Sequence, residues 1–255
     1  MARQIAPVRM VGTFGSEIIC GAIMFKAVMP SQGIYSHEAL GHIAKASEAY
    51  RNQIGGNRTS AVAFRQTAAY HFGVQRLEQS QLTVRTPYLD NEVVRTVFRA
   101  PRKEQGEDVR LRLIRDGSPE LARLRTDRGL GGSNRLAAAI SRAYLEFTFK
   151  AEYAYDYGMP QWVARLDHAF APLHFERLWM GRHKIFHFRW WYRTALANYV
   201  KDILLDPRAL ARPYVERAGV EAAVRAHLKG THNYTTEIHR LLSLELLHRT
   251  FVDVN

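Results

Sequence analysis

Pro87 fixes more of this chain's path than any other residue. Its ring locks its own φ and pushes Thr86 out of the helical region, so the backbone must approach Tyr88 extended. Asp90 then falls where an N-cap belongs, ahead of Val93, Val94 and Val97 at helical spacing. The string from Thr83 to Val94 therefore reads as an extended approach, a turn and a capped helix, with Arg85 and Asp90 at one corner. A well-capped surface helix accounts for these twelve residues taken alone; two further segments add to them.

The first is Val8 to Gly21, in which a short strand (Val8 to Val11) runs into a Gly12-x-x-Gly15 turn and then a helix start. Such a turn can aim backbone N–H groups at an anion, although most glycine pairs of this kind simply serve turns. The second is the C-terminal run from Asp206-Pro207, through Val215 to Val220 and His227 to Gly230, to the leucine-rich stretch Leu241 to Phe251.

Taken in order, the three segments resemble the asparagine synthase family. Arg85-Thr-Pro-Tyr-Leu-Asp90 is similar to its R-x-P-F-L-D segment, Gly12 to Glu17 to its G-x-G-x-(D/E)-E loop beside the nucleotide, and the C-terminal run to its helical tail. The resemblance implies ATP and Mg2+ as cofactors and amide formation through an acyl-adenylate. In that family ATP activates an aspartate side chain and ammonia displaces AMP. It also assigns nucleotide-side positions to Gly12, Thr13, Gly15, Glu17, Arg85, Asp90 and Arg128.

The departures from the family pattern are equally specific. No S-G-G-x-D-S pyrophosphate loop occurs in the chain, and nothing resembles an N-terminal glutaminase domain. Thr13 and Phe14 stand where the family offers a Glu or Tyr, Thr83 where an acidic residue precedes the Arg, and Asp127 where a lysine steadies the departing phosphate. Phenylalanine transfers no proton, and an aspartate at a lysine position reverses the local field. Arg128, beside Asp127, is the nearest replacement for that lysine. The glycine-rich loop 129–134 reads as an anion-facing loop or as a linker ending in an N-cap.

These features give an expected fold and function. The chain is expected to be mainly α: the helical C-terminal part of an adenine-nucleotide α-hydrolase-like (ATP pyrophosphatase) α/β synthetase domain, with one short N-terminal strand. It is expected to form a single partial domain over 1–255, with strand and loop at 8–21 and a helical remainder at 22–255. A lone strand needs a neighbour for its backbone groups, so its sheet is expected to lie elsewhere. The chain alone is expected to be inactive, with a second polypeptide or an N-terminal half supplying the pyrophosphate loop. The alternative is a non-catalytic binding or partner subunit on the same helical scaffold.

Apolar residues at three- and four-residue spacing predict helices over Ala39–Tyr50, Ala61–Ser80, Glu92–Phe98, Leu136–Tyr155 and Thr235–Phe251. Asp206-Pro207 predicts a further N-cap with a first-turn proline. The sequence carries no leader pattern, and its longest apolar stretch, Ile18 to Met29, is interrupted by Lys26, so no membrane partner is expected. The single cysteine, Cys20, has no partner for an internal disulfide, which points to a cytoplasmic setting.

The formal charge of +12 favours anionic partners, but the basic residues are scattered, as expected of arginine on solvated helix faces. His37-Glu-Ala-Leu-Gly-His42 misses zinc-binding H-E-x-x-H spacing by one residue, and no metal site is expected. Arg182 to Arg193 alternates basic and aromatic residues. A buried aromatic helix with its charged ends reaching solvent is the expected reading, and nucleic-acid binding the less favoured one.

Overall fold

The computed structural model describes residues 2–23, 27–55, 60–66, 72–101, 107–124 and 135–253. The chain is mainly helical, with one two-stranded sheet among the described residues. It divides into two compact units, Met1–Val28 with Lys45–Leu124, and Met29–Ala44 with Arg125–Asn255.

The first unit is built on strand β1 (Val8–Met10), helix α1 (Gly15–Cys20), the later part of α2 (His37–Gly55), and a π-helical turn at Ala61–Gln66. It continues through α3 (Phe72–Gln79), β2 (Thr83–Arg85), a 3-10 turn at Pro87–Leu89, α4 (Asn91–Arg99), α5 (Glu107–Gly117) and a short helix at Pro119–Arg123. β1 and β2 pair in parallel, with Val8 opposite Thr83, Arg9 opposite Val84 and Met10 opposite Arg85. This corrects the expectation of one strand whose sheet lies elsewhere. β2 escapes a sequence reading because it is three residues long and its partner lies more than seventy residues away.

Each strand ends in a turn that starts a helix, so α1 and α4 both begin at the same end of the sheet. Phe14, Ile18 and Val62 form the buried centre, with Tyr88, Leu89, Val94 and Val97 against it. Val94 and Val97, three apart, are therefore the inward face of α4.

The second unit holds α6 (Arg135–Tyr153), a π-helical turn at Ala154–Gly158, α7 (Gln161–Ala169), α8 (Phe188–Arg193), α9 (Ala197–Leu204), α10 (Arg217–Lys229) and α11 (Thr235–Leu247). Val220, Ala223, Val224 and His227 of α10 are buried at i, i+3, i+4 and i+7. Ile238, Leu241, Leu242 and Glu245 of α11 repeat the pattern. With Val200 and Leu204 of α9 they make one core, joined by Ile34, Tyr35 and Tyr192.

Backbone contact at Gly219 explains how closely α10 approaches residue 33. A Cβ on Gly219 would lie 1.5 Å from the Gly33 carbonyl oxygen, so no other residue fits. Asp206 caps the Pro207–Leu210 turn, accepting from the Arg208 amide at 2.8 Å, as its sequence predicts. The expected helix from Leu136 to Tyr155 ends instead at Tyr153, where the π-helical turn takes over. The expected helix from Thr235 likewise gives way to a π-helical turn at His248–Val252.

Candidate functional site

Two of the three segments singled out in the sequence, far apart along the chain, meet at one corner of the first unit. The Val11 amide donates to the Arg85 carbonyl at 2.9 Å, extending the β1–β2 ladder, and the Thr86 hydroxyl donates to the Thr13 carbonyl at 2.8 Å. The loop closes on itself through the Gly15 amide and Gly12 carbonyl at 3.3 Å. Tyr88 lies over this loop: a Cβ on Gly15 would stand 3.0 Å from its ring. A larger residue at 15 would crowd the Tyr88 ring, a contact that sequence spacing alone does not reveal.

The corner brings the Gly12–Gly15 loop to the end of β2 at Arg85, with Glu17 in α1 and Asp90 at the start of α4, whereas Thr83 lies at the other end of β2, opposite Val8. Asp127 and Arg128 lie outside the described residues. Within the group, the side chains have distinct fates. Phe14 is 1% exposed and adopts φ 75°, a left-handed conformation that favours glycine, while its ring fills the unit's centre. Glu17 is buried in α1, and Arg85 is exposed at the end of β2. Asp90 accepts from the Glu92 amide at 2.9 Å and so caps α4 as predicted.

That cap decides what the corner can do. An anion at the start of α4 would need the amide that Asp90 already occupies, and it would meet a carboxylate there. Mg2+ demands well-placed carboxylate oxygens; of the two acids at the corner, Asp90 is committed to the cap and Glu17 is buried. The described residues of this corner therefore do not by themselves fit a magnesium–triphosphate group. Phe14 cannot exchange a proton, and Arg85 stands exposed at the corner.

The second unit holds the greater concentration of buried charge. Arg189 is fully buried; its guanidinium donates to Asp167 at 2.8 Å and to the Tyr155 carbonyl at 3.3 Å, and lies 4.2 Å from the centre of the Tyr155 ring. Burial pushes its pKa down, and Tyr155 and Asp167 oppose that shift. The Glu152 carboxylate accepts from the Gly181 and His183 amides, each at 2.7 Å. Asp156 pairs with Lys184, whose ammonium lies 4.2 Å from the Tyr157 ring centre. Asn233 holds the π-helical turn by donating to the Tyr155 and Asp156 carbonyls, each at 3.1 Å.

This network corrects the expected reading of Arg182 to Arg193. The helix covers only Phe188–Arg193, and its buried residues are Arg189 and Tyr192. Ile185 and Phe186 are exposed, the reverse of apolar residues inside and arginine outside. Asp167 and the Tyr155 ring make that reversal possible, and both reach Arg189 through tertiary folding.

Among the described residues no group of His, Cys, Asp and Glu side chains is placed to hold a metal ion. His42 and Glu38 of the near-miss motif form an exposed pair at 3.7 Å. No described helix is long and apolar enough to cross a membrane. No family model matches the chain, and neither a curated protein nor a solved structure matches it.

Proposed function

We propose that the chain is an asparagine synthase-like protein that contributes to ATP-dependent amide formation only together with a phosphate-binding loop supplied by a second polypeptide or an N-terminal half. The observation supporting this reading is the meeting of its loop and Arg-x-Pro segments through the Thr86–Thr13 hydrogen bond, beside two parallel strands. Parallel strands that each feed a helix are the usual frame of α/β ligand sites, which lie at the carboxyl ends of the strands.

Within this reading, the chain's own residues orient. Thr86 and Tyr88 hold the Gly12–Gly15 loop, and Arg85 presents positive charge beside it. ATP and Mg2+ would be held by groups outside this corner.

The test is an assay of the purified chain with aspartate, ammonia and Mg-ATP, then of the chain co-expressed with any polypeptide encoded immediately upstream. The chain alone should release no aspartate-dependent AMP, and Mg-ATP should leave its thermal melt unchanged. The pair should release AMP, and Arg85→Ala should abolish that release. AMP release by the chain alone would overturn the proposal.

The second reading is a non-catalytic binding subunit. It is favoured by one specific observation, that Phe14 stands at a proton-transfer position of the resembled family with its ring wholly inside the core. Failure of the co-expressed pair to form AMP would select it.

A further inference from the structure

Residues 181–187 of the second unit lead into α8 and are fastened to the last turns of α6 chiefly through polar groups. The Gly181 and His183 amides donate to the two oxygens of Glu152, each at 2.7 Å. The Lys184 ammonium pairs with Asp156, and the His183 ring meets the Thr148 hydroxyl at 2.8 Å. Thr148, Glu152 and Asp156 follow one another at intervals of four, so they share one face of α6 and of the π-helical turn after it. Apart from bonds to close neighbours in sequence, every hydrogen bond and ion pair described for residues 181–187 ends on that row.

Apolar burial adds little to this fastening. Ile185 is 82% and Phe186 57% exposed, so release of the segment uncovers little further apolar surface. Its ring contacts with α6 are the His183 ring edge-on to Phe149 and the Arg182 and Lys184 cations over Tyr144 and Tyr153. Gly181, at one end, has φ 80°, a left-handed conformation that glycine adopts and leaves at low cost, and the other end is the start of α8. What the segment covers is polar: Thr148, Glu152 and Asp156 are fully buried, and the Lys184 ammonium lies 4.2 Å from the Tyr157 ring centre.

We propose that residues 181–187 are a proton-operated strap, closed over α6 while Glu152 and Asp156 are ionised and released when these carboxylates take up protons. Ionised Glu152 accepts from both amides; a protonated carboxyl turns a donor toward two other donors. Protonation of Asp156 removes the counter-charge of the buried Lys184. The remaining charges facing the row are then all positive: His183, Lys184 and His187 on the strap, with His187 3.7 Å from Glu152. Tyr153 and Tyr157 supply neutral rings, the Arg189 guanidinium of α8 stays with Asp167 of α7, and His239 of α11 turns to Tyr192 and Phe188. A histidine protonated while Glu152 is still ionised tightens the strap, so release belongs to the carboxylates. Opening gives solvent and solutes access to Glu152, Asp156 and the Lys184 ammonium, and it makes no use of the corner in the first unit.

Two readouts on the full chain test this at neutral pH: residue-resolved amide exchange, and acetylation of Lys184 by acetic anhydride, with the exposed Lys150 as internal standard. In the intact chain Lys184 should react about tenfold more slowly than Lys150. Glu152→Gln should speed exchange at Gly181 and His183 about tenfold and leave residues 217–229 unchanged. Glu152→Gln combined with Asp156→Asn should bring Lys184 to the rate of Lys150. As the pH of the intact chain is lowered, the Gly181 and His183 amides, corrected for intrinsic rates, should lose protection before residues 217–229. Should the variants fail to fold, the intact chain in low urea decides, because the strap amides should open with a shallower urea dependence than those of residues 217–229.

The proposal is overturned if the Gly181 and His183 amides exchange only together with residues 217–229, in acid and in urea, since the segment would then be part of the core. It is equally overturned if Glu152→Gln leaves both amides as protected as before, or if Lys184 of the intact chain reacts as fast as Lys150 at neutral pH.

Discussion

Around Tyr192, buried residues from α9, α10 and α11 join Ile34, Tyr35 and Leu210 in one continuous core, whereas the described apolar cluster around Phe14 has Ile18 and Val62 buried with it. The charges differ in the same sense. In the second unit Arg189, Glu152 and Asp156 are buried and each is paired, while the first unit's ion pairs, such as Arg9 with Glu78, lie at the surface. One unit closes on its own residues; the other carries the Gly12–Gly15 corner on a two-stranded sheet. The difference teaches where stability is thinner, because a smaller core and a two-stranded sheet leave the first unit with less to offset its chain entropy.

The comparison breaks most sharply at Gly219. Gly219→Ala drives a Cβ into the Gly33 carbonyl and should cost about 3 kcal/mol or more, read by urea denaturation of the second unit's helical signal. A change within experimental error would mean that the close approach of α10 is absent.

Arg189→Ala comes next. It leaves Asp167 without its cation and the Tyr155 carbonyl without a donor, at a cost of about 3 kcal/mol by the same measurement. Asp167→Asn, which keeps a hydrogen-bond acceptor, should cost less.

The pH dependence sharpens the contrast. His227 is buried and its Nδ1 accepts from the Tyr234 amide at 3.0 Å; burial first, then Arg189 and Arg193, push its pKa from 6.5 to about 3. The unfolded chain therefore takes up a proton before the folded one as pH falls. The second unit's stability should hold above pH 6.5 and decline steadily as pH falls toward about 3. His227→Gln, which retains an acceptor, should flatten the upper part of that decline. Depressed pKa values at Glu245 and Asp253, paired with Arg212, make stability fall further in the acid range.

The smallest effect belongs to the first unit. Asp90→Ala removes the α4 cap and should cost about 1 kcal/mol, measured by amide exchange over residues 91–99. Asp90→Asn should restore most of it.

Local chemistry was readable in advance where it depends on neighbours in sequence. Pro87 with Asp90, Asp206 with Pro207, and the apolar periods of α4 and α11 all act within a turn or two of helix. What stayed hidden depends on distant partners. β2 is too short to stand out until β1 pairs with it, Gly15 acquires its meaning from Tyr88, and Arg189 is buried only because Asp167 and Tyr155 meet it. The corner was legible as two strings, and its geometry was not. That Phe14 fills the core and Asp90 is spent on a cap follows from the fold alone.

Amide hydrogen exchange of the full chain, resolved along the sequence, tests the division between a closed unit and an open one most directly. Residues 197–204, 217–229 and 235–247 should be the slowest, with residues 8–20 and 83–99 exchanging about a hundredfold faster. Equal protection in the two units would contradict the account, because the corner would then be stable without any partner.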